Sequence, residues 1–247
     1  MSIAEKFEVI ADEVYKKGRQ DEYDTFWDAY QDYGNRVYYD SAFSEGGDTA
    51  SWFYGTTYRP KYPMKPITAD SMYYATRLPY EAIKDVDYSN CTKFYRWGAY
   101  SSLKQVGVMD MRKATNTGQA FIGSNSLHTI DKIISAETTP YFQTFDGLKK
   151  LENITFEGTI GQDISFKDSP LLTVESMIGN VATEEQIANG KNILELNGTY
   201  YYGGILIALR DNSTTGTTNT LTLGSTNLAK LTDAQKAVAT EKGWTLA

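Results

Sequence analysis

Cysteine and histidine are almost missing from the 247-residue sequence, which holds one of each, Cys91 and His128. A lone cysteine cannot form an internal disulfide, which predicts a reducing compartment or a route that avoids oxidative export. We expect Cys91 to be a buried small apolar residue, with a reactive thiol as the alternative. His128 is predicted to face solvent rather than to act as a catalytic base. One cysteine and one histidine cannot build an ordinary zinc site, so no metal and no cofactor are predicted.

A basic excess and a long apolar run are also missing. Lys and Arg number 24 against 31 Asp and Glu, a net charge of −7. Nucleic acids and anionic lipids are bound by basic surfaces, so neither is expected as a main partner. No apolar run reaches about 18 residues, and no membrane insertion is predicted. The opening MSIAEKFEVIADEVYKK lacks an uninterrupted apolar core, so no secretory signal peptide is expected, although another export route stays open.

The motifs of common catalytic sites do not occur. There is no G-x-S-x-G, Walker A or G-x-G-x-x-G pattern. Ser101 and Lys104 match S-x-x-K by letters alone, because the other elements of that enzyme class are missing. Asp85 and Asp87 lack the glycine and glutamate that complete a calcium loop. No carboxylate pair stands out for sugar hydrolysis, where the pairing is spatial. We therefore predict no catalytic residues.

A 24-residue repeat is the main positive feature of the sequence. An aromatic residue is followed six positions later by Leu, and three positions after that by Val or Ile. The predicted repeat core comprises Tyr73, Trp97, Phe121 and Phe145, then Leu103, Leu127 and Leu151, then Val106, Ile130 and Ile154. A fixed period of this size is typical of solenoids. The expected fold is α+β: a right-handed leucine-rich-repeat-like solenoid over residues 73–176, with N-terminal helices and a helix/hairpin C-terminal cap.

Each repeat is expected to contain one short strand and one tight turn. The strands are predicted at residues 105–109, 129–134 and 153–156, after each leucine. Glycines such as Gly98, Gly123 and Gly147 permit the turns before them. Phe166 falls three residues short of the period and marks the point where the array loses regularity.

Residues 1–34 are predicted to form N-terminal helices for attachment or oligomerisation. A heptad seam is spaced four, three and four residues apart, and it consists of Ile3, Phe7, Ile10 and Val14. Two heptads are too short for a stable coiled coil alone, so the seam packs on the rest of the chain or on copies of itself.

Residues 35–72 are predicted to be an irregular, aromatic-rich N-terminal cap. Tyrosine is abundant, with 19 in the chain, and suits either core edges or a contact surface for sugar or protein. The candidate binding residues are Tyr38, Tyr39, Trp52, Tyr54 and Tyr58.

Residues 177–247 are predicted to form the C-terminal cap. Asn197-Gly198 between ILEL and TYYY signals a hairpin. Thr183 with Gln186, and Thr232 with Gln235, are capping-box patterns. A short helix is expected at 173–181 and a strand at 220–223, whereas 205–210 suits either a helix or a strand.

Several of these phrases resemble the BspA-type leucine-rich-repeat proteins. They are LKQVGVMDMRKAT, LHTIDKII, LENITFEGTIG, SPLLTVESM and TLTLGSTNLAKLTDAQKAVATEKGW. The opening FWDAYQDYGNRVYYDSAFSEG, with RPKYPMKPI, resembles a version abundant in gut bacteria and their phages. The resemblance covers nearly the whole chain and implies surface binding and host interaction, with phage members similar to virion or tail-associated components. The chain departs from the family at 184–202, where a hairpin replaces a continuous helix.

These observations predict a non-enzymatic binding or structural protein. The expected setting is a phage virion, tail- or fibre-associated, or a bacterial cell surface, and the lack of a signal peptide favours the virion. The partner would be a host-surface protein or glycan bound through the solenoid face, with homo-oligomer formation through the N-terminal helix. One alternative is a glycan-active depolymerase, which needs carboxylates clustered in a groove. Another is an intracellular scaffold or host-modulating protein.

Overall fold

The structure, a computed structural model, describes residues 65–77, 83–84, 86–189 and 192–247. Within these ranges the chain forms short strands, short helices and many turns. In chain order the elements are β1 (Gln105–Asp110), β2 (Thr129–Ser135), β3 (Asn153–Gly158), β4 (Ile164–Ser165), α1 (Val174–Ile178), β5 (Asn180–Val181), α2 (Glu184–Asn189), β6 (Ile193–Leu196), β7 (Thr199–Tyr202), α3 (Ile205–Ala208), β8 (Asn219–Thr222), α4 (Ser225–Leu228), α5 (Asp233–Glu241) and β9 (Trp244–Leu246).

Strands β1, β2 and β3 form a parallel sheet in that order. Val106 pairs with Ile130, and Ile130 pairs with Ile154, so the register of the sheet equals the 24-residue period. All three side chains are buried, and β-branched residues suit a pleated surface that is buried on one face. The three strands predicted after the leucines are confirmed to within two residues at each end.

The predicted leucine-rich-repeat-like solenoid is wrong. The described residues form three separate three-stranded sheets, and the sheet of the repeats ends at β3, after which an isolated parallel bridge between Tyr141 and Ile164 joins the next turn. Between β1 and β3 the chain returns through turns instead of helices. The free edge of β3 and the residues that follow it are covered by a segment distant in the chain. Phe156 N donates to Gly203 O, and Ile160 N donates to Ala208 O. The period therefore set the register of one small sheet, and recognition through a solenoid face falls with the fold.

The repeat aromatics form a column in the core. Ring centroids lie 5.1 Å apart for Tyr73 and Trp97, and 5.5 Å apart for Trp97 and Phe121. The next pair, Phe121 and Phe145, is 5.8 Å apart and stacked. Phe166 continues the column at 5.1 Å from Phe145 although it is off the period. Aromatic pairs of this kind each contribute about 0.5–1.5 kcal/mol beyond the area they bury.

Two further sheets close the C-terminal side of the column. Strand β8 lies between β4 and β9, all parallel, while β7 lies between β5 and β6, all antiparallel. Helix α5 buries Val238 and Ala239, and these side chains join Phe166 and Trp244 in one hydrophobic cluster. The C-terminal elements are thus packed on the same core as the repeats.

Several local predictions in this part of the chain are confirmed. The predicted hairpin is formed by β6 and β7, and its turn is at Asn197 and Gly198, whose φ angles are 52° and 78°. Both capping boxes form, at Thr183 with Gln186 and at Thr232 with Gln235. The strand expected at 220–223 is also confirmed, as β8, and the run at 205–210, left open between helix and strand, contains helix α3.

One local prediction needed correction. The helix expected at 173–181 is shorter, because Gly179 at φ 101° ends α1 and the next two residues form β5. Strand β9 was not predicted.

The predictions for residues 1–34 and for most of 35–72 lie outside the described residues. The same holds for the heptad seam and the five candidate binding aromatics. Among the helices that the structure does describe, none has the length and apolar character needed to cross a membrane.

Candidate functional site

Two exposed rings flank Gly118 on the turn segments that precede the strands. Phe142 is 68% exposed and Tyr95 is 36% exposed. Gly118 lies between them: a Cβ added there would be 3.5 Å from Tyr95 Cδ2 and 3.7 Å from Phe142 Cδ1. Both rings therefore lean over the glycine and bury it. We call Tyr95, Gly118 and Phe142 the aromatic strip.

A row of polar side chains follows the aromatic strip, one residue further along each turn. Arg96 Nε donates to Gln119 Oε1 at 2.9 Å, and Gln119 Nε2 donates to Gln143 Oε1 at 2.8 Å. All three residues have left-handed backbone, with φ of 54°, 58° and 51°. This conformation costs an L-residue about 1–2 kcal/mol, so the repeated hydrogen bonds offset local strain. We call these residues the polar ladder.

The polar ladder ends with an open donor. Gln143 uses its carbonyl oxygen to accept from Gln119, and Gln143 Nε2 donates to no acceptor in the part of the chain that the structure describes. A side-chain amide of this kind keeps two N–H groups available for a ligand.

A cleft of about 240 Å³ opens beside Phe142. It is lined by aromatic, amide, carboxylate and hydroxyl groups, namely Phe142, Gln143, Asp146, Asp163, Thr220 and Thr222. Asp163 Oδ1 accepts from Thr220 N at 2.8 Å and from Asn219 Nδ2 at 3.1 Å. Asp163 Oδ2 accepts no hydrogen bond from the described residues. The Phe142 cleft thus offers a ring, a free donor and a free acceptor together.

Burial shapes the electrostatics of the Phe142 cleft. It raises the pKa of the Asp146 carboxyl, against hydrogen bonds from Ser165 and the Lys167 backbone that lower it. Lys167 is a nearby positive charge that lowers the same pKa, whereas the neighbouring Asp168 raises it. Two carboxyl groups, Asp146 and Asp163, line the cleft, and none of the described residues that line it is a lysine or an arginine, so its surroundings are negative.

Two other clefts offer less to a ligand. One, of about 370 Å³ between the ends of β2 and β3 and α2, contains Arg112 and Glu157. Its charges are already paired: Arg112 Nη2 is 2.6 Å from Asp110 Oδ2, and Lys132 Nζ is 2.8 Å from Glu157 Oε2. The other, of about 390 Å³ beside Pro170 and Leu223, has no exposed ring against it.

The predicted repeat core residues are brought together inside the column. Each is at most 2% exposed, and all ten belong to one hydrophobic cluster: Tyr73, Trp97, Leu103, Val106, Phe121, Leu127, Ile130, Phe145, Leu151 and Ile154. The remaining predicted residues are not described, namely Ile3, Phe7, Ile10, Val14, Tyr38, Tyr39, Trp52, Tyr54 and Tyr58. None of the described ones lines the Phe142 cleft.

The two rare residues occupy the expected positions. Cys91 is fully buried, its Sγ donates to Lys93 O at 3.3 Å, and burial raises its pKa to about 12. It is therefore a packing residue with little thiolate at neutral pH. The His128 side chain is 42% exposed, with Nδ1 4.0 Å from Glu152 Oε1. The two residues of the S-x-x-K match lie in different surroundings. Ser101 is buried with its Oγ hydrogen-bonded to Ser124 Oγ, whereas Lys104 is exposed.

Sequence reasoning missed the aromatic strip and the polar ladder. A usable signal existed, because Tyr95, Gly118 and Phe142 are 23 and 24 residues apart, as are Arg96, Gln119 and Gln143. The same period is most obvious in the apolar residues, and the sequence does not reveal which side chains of a turn stay exposed. Asp146 and Asp163 come from different turns, and no pattern links them.

Comparison with protein-family models, with curated proteins and with solved structures found no match to this chain. The resemblance to BspA-type proteins, and the setting that it implies, therefore stay predictions.

Proposed function

We propose that this protein is a non-enzymatic glycan-binding protein of a phage virion or bacterial surface, and that it binds through the aromatic strip and the Phe142 cleft. The carrying observation is Phe142 itself, a phenyl ring 68% exposed at the mouth of a cleft that holds open hydrogen-bonding groups. The setting follows the resemblance to BspA-type proteins, and residues 1–34 would supply attachment to the particle or cell.

The chemistry of a sugar ring matches this arrangement. A pyranose has an apolar C–H face that packs on an aromatic ring, and its rim carries hydroxyl groups that both donate and accept. Gln143 Nε2 supplies a donor and Asp163 Oδ2 an acceptor beside the ring. Rigid aromatic anchors with a few convergent polar groups are the usual design of binding sites.

The proposal is tested by measuring binding to immobilised bacterial surface polysaccharides. Phe142→Ala removes the ring, and we expect at least one polysaccharide bound by the wild type to be bound about tenfold more weakly, equal to about 1.4 kcal/mol. Tyr200→Ala is the matched control, because Tyr200 is 37% exposed on the hairpin. Equal binding by wild type and Phe142→Ala, or no binding to any polysaccharide, would contradict the proposal.

A second candidate, a glycan-active enzyme, is favoured by the two carboxyl groups in one cleft. Burial raises the pKa of Asp146, as expected of a general acid. Against this, Asp146 Oδ1 accepts from Lys167 N at 3.2 Å and Asp163 Oδ1 from Thr220 N, which are bonds that hold loops in place. Release of reducing ends from a bound polysaccharide, abolished by Asp146→Asn, would establish the enzyme instead.

A further inference from the structure

We infer that the Phe142 cleft selects uncharged sugar residues and rejects sugars that carry a carboxylate. The inference rests on the proposed function and names the class of glycan that this site takes. Its basis is the chemistry of the groups that line the cleft around the ring.

The lining offers hydrogen-bond acceptors with negative charge on the side away from the aromatic strip. Asp146 and Asp163 both line the cleft, and Asp168 acts electrostatically on Asp146. Lys167 is the cation acting on the same carboxyl group. A ligand in the cleft therefore meets a net negative field.

Arg96, at the far end of the polar ladder, does not reverse this field. Its guanidinium lies 5.1 Å from the centre of the Tyr95 ring, and its Nε is bonded to Gln119. Two steps between neighbouring strands separate it from Gln143, roughly 10 Å at the usual spacing. Arg96 is therefore farther from the cleft than Asp146 and Asp163, which line it, and its single charge acts there more weakly than theirs.

Hydroxyl and carboxylate groups on a sugar respond oppositely to these surroundings. A hydroxyl donates to Asp163 Oδ2 and accepts from Gln143 Nε2, so it satisfies both open groups. A carboxylate has no proton to donate at neutral pH, so it loses the first bond and adds like-charge repulsion. Rejection through an unpaired charge of this kind is a common basis of specificity.

The test compares a neutral polysaccharide that the protein binds with the same polymer after oxidation of its primary hydroxyls to carboxylates. Binding is measured with full-length protein at low and at high salt. We expect the oxidised polymer to bind about tenfold more weakly at low salt, with a smaller difference at high salt. Asp163→Asn keeps an oxygen acceptor for Thr220 N and removes one charge, and it should reduce the discrimination.

The controls separate this inference from the proposed function. Glu184→Gln removes one charge from an exposed residue at the start of α2 and should leave the discrimination unchanged. Binding about tenfold weaker in Phe142→Ala supports the site whatever its selectivity. Equal or tighter binding of the oxidised polymer by the wild type would overturn the inference alone. Discrimination that Asp163→Asn and Asp146→Asn both leave intact would overturn it as well.

Discussion

At the scale of single residues, Gly158 shows how closely β2 and β3 approach. Gly158 ends β3 at φ 87°, and an added Cβ would overlap the carbonyl oxygen of Ser135 at the end of β2. Gly147 also has positive φ, at 72°, but nothing lies within 4 Å of an added Cβ. A side chain at Gly147 would therefore cause conformational strain alone, whereas one at Gly158 would cause the same strain and a clash with the backbone of β2.

Alanine at these positions should have unequal effects on stability. Gly147→Ala should lower the free energy of unfolding by about 1–2 kcal/mol, the cost of a left-handed L-residue. Gly158→Ala should cost about 1–3 kcal/mol more, because the backbone of β2 must also shift. Urea denaturation of both variants measures the difference. Equal losses would show that the β2–β3 contact is looser than the structure describes.

At the scale of elements, helices α2 and α5 begin with the same capping box but differ in how much of each helix is buried. Thr183 and Thr232 each begin a helix with reciprocal hydrogen bonds to a glutamine three residues on. Helix α2 contributes no buried residue, whereas α5 buries Val238 and Ala239 in the core. Loss of the cap should therefore have local consequences in α2 and global ones in α5.

Thr232→Ala should lower the free energy of unfolding by about 1 kcal/mol. Thr183→Ala should leave that value almost unchanged but speed hydrogen exchange in the first turn of α2, because this helix opens independently. Thr232→Ser retains the hydroxyl and serves as the control. Equal losses of global stability in both alanine variants would show that α2 is coupled to the core.

At the scale of the whole molecule, one hydrophobic cluster runs from Ala69 to Trp244. Trp97 lies in the aromatic column, and Trp244 begins the last strand. In an extended repeat array the two ends unfold separately, whereas a shared core unfolds as a unit.

Single-tryptophan proteins can test this cooperativity. With Trp27 and Trp52 changed to Phe, a further Trp97→Phe or Trp244→Phe leaves one reporter at each end of the described chain. Measured in urea by fluorescence and by circular dichroism, each protein should unfold in one transition that both probes follow with the same midpoint. A separate early transition at Trp244 would show that the C-terminal sheets form an independent unit.

The sequence predicted contacts between successive turns better than it predicted the fold. Val106, Ile130 and Ile154 carried enough periodicity to place three strands in register. The prediction of a solenoid was wrong because the same 24-residue period is compatible with three turns or with many. The number of stacked turns is decided by pairing between segments that are distant in the chain. Contacts such as Phe156 N to Gly203 O join segments that share no pattern.

The candidate site was less accessible to sequence reasoning than the core. Phe142 directly follows Tyr141 in the chain. No local signal in the sequence shows that the Phe142 ring is exposed whereas the Tyr141 ring is buried. Asp146 and Asp163 meet at a cleft that exists only once β4 pairs with β8. Polar side chains that converge from separate turns leave no fixed spacing to find.

Three consecutive residues have three different roles: Tyr141, Phe142 and Gln143. The first is 2% exposed in the core, the second is 68% exposed, and the third ends the polar ladder. Substitutions at position 142 thus change the outer surface while the interior keeps its shape. Under the proposed function, the choice of glycan can therefore diverge through substitutions at outward-facing positions, one in each turn, while every variant still folds on the same buried column.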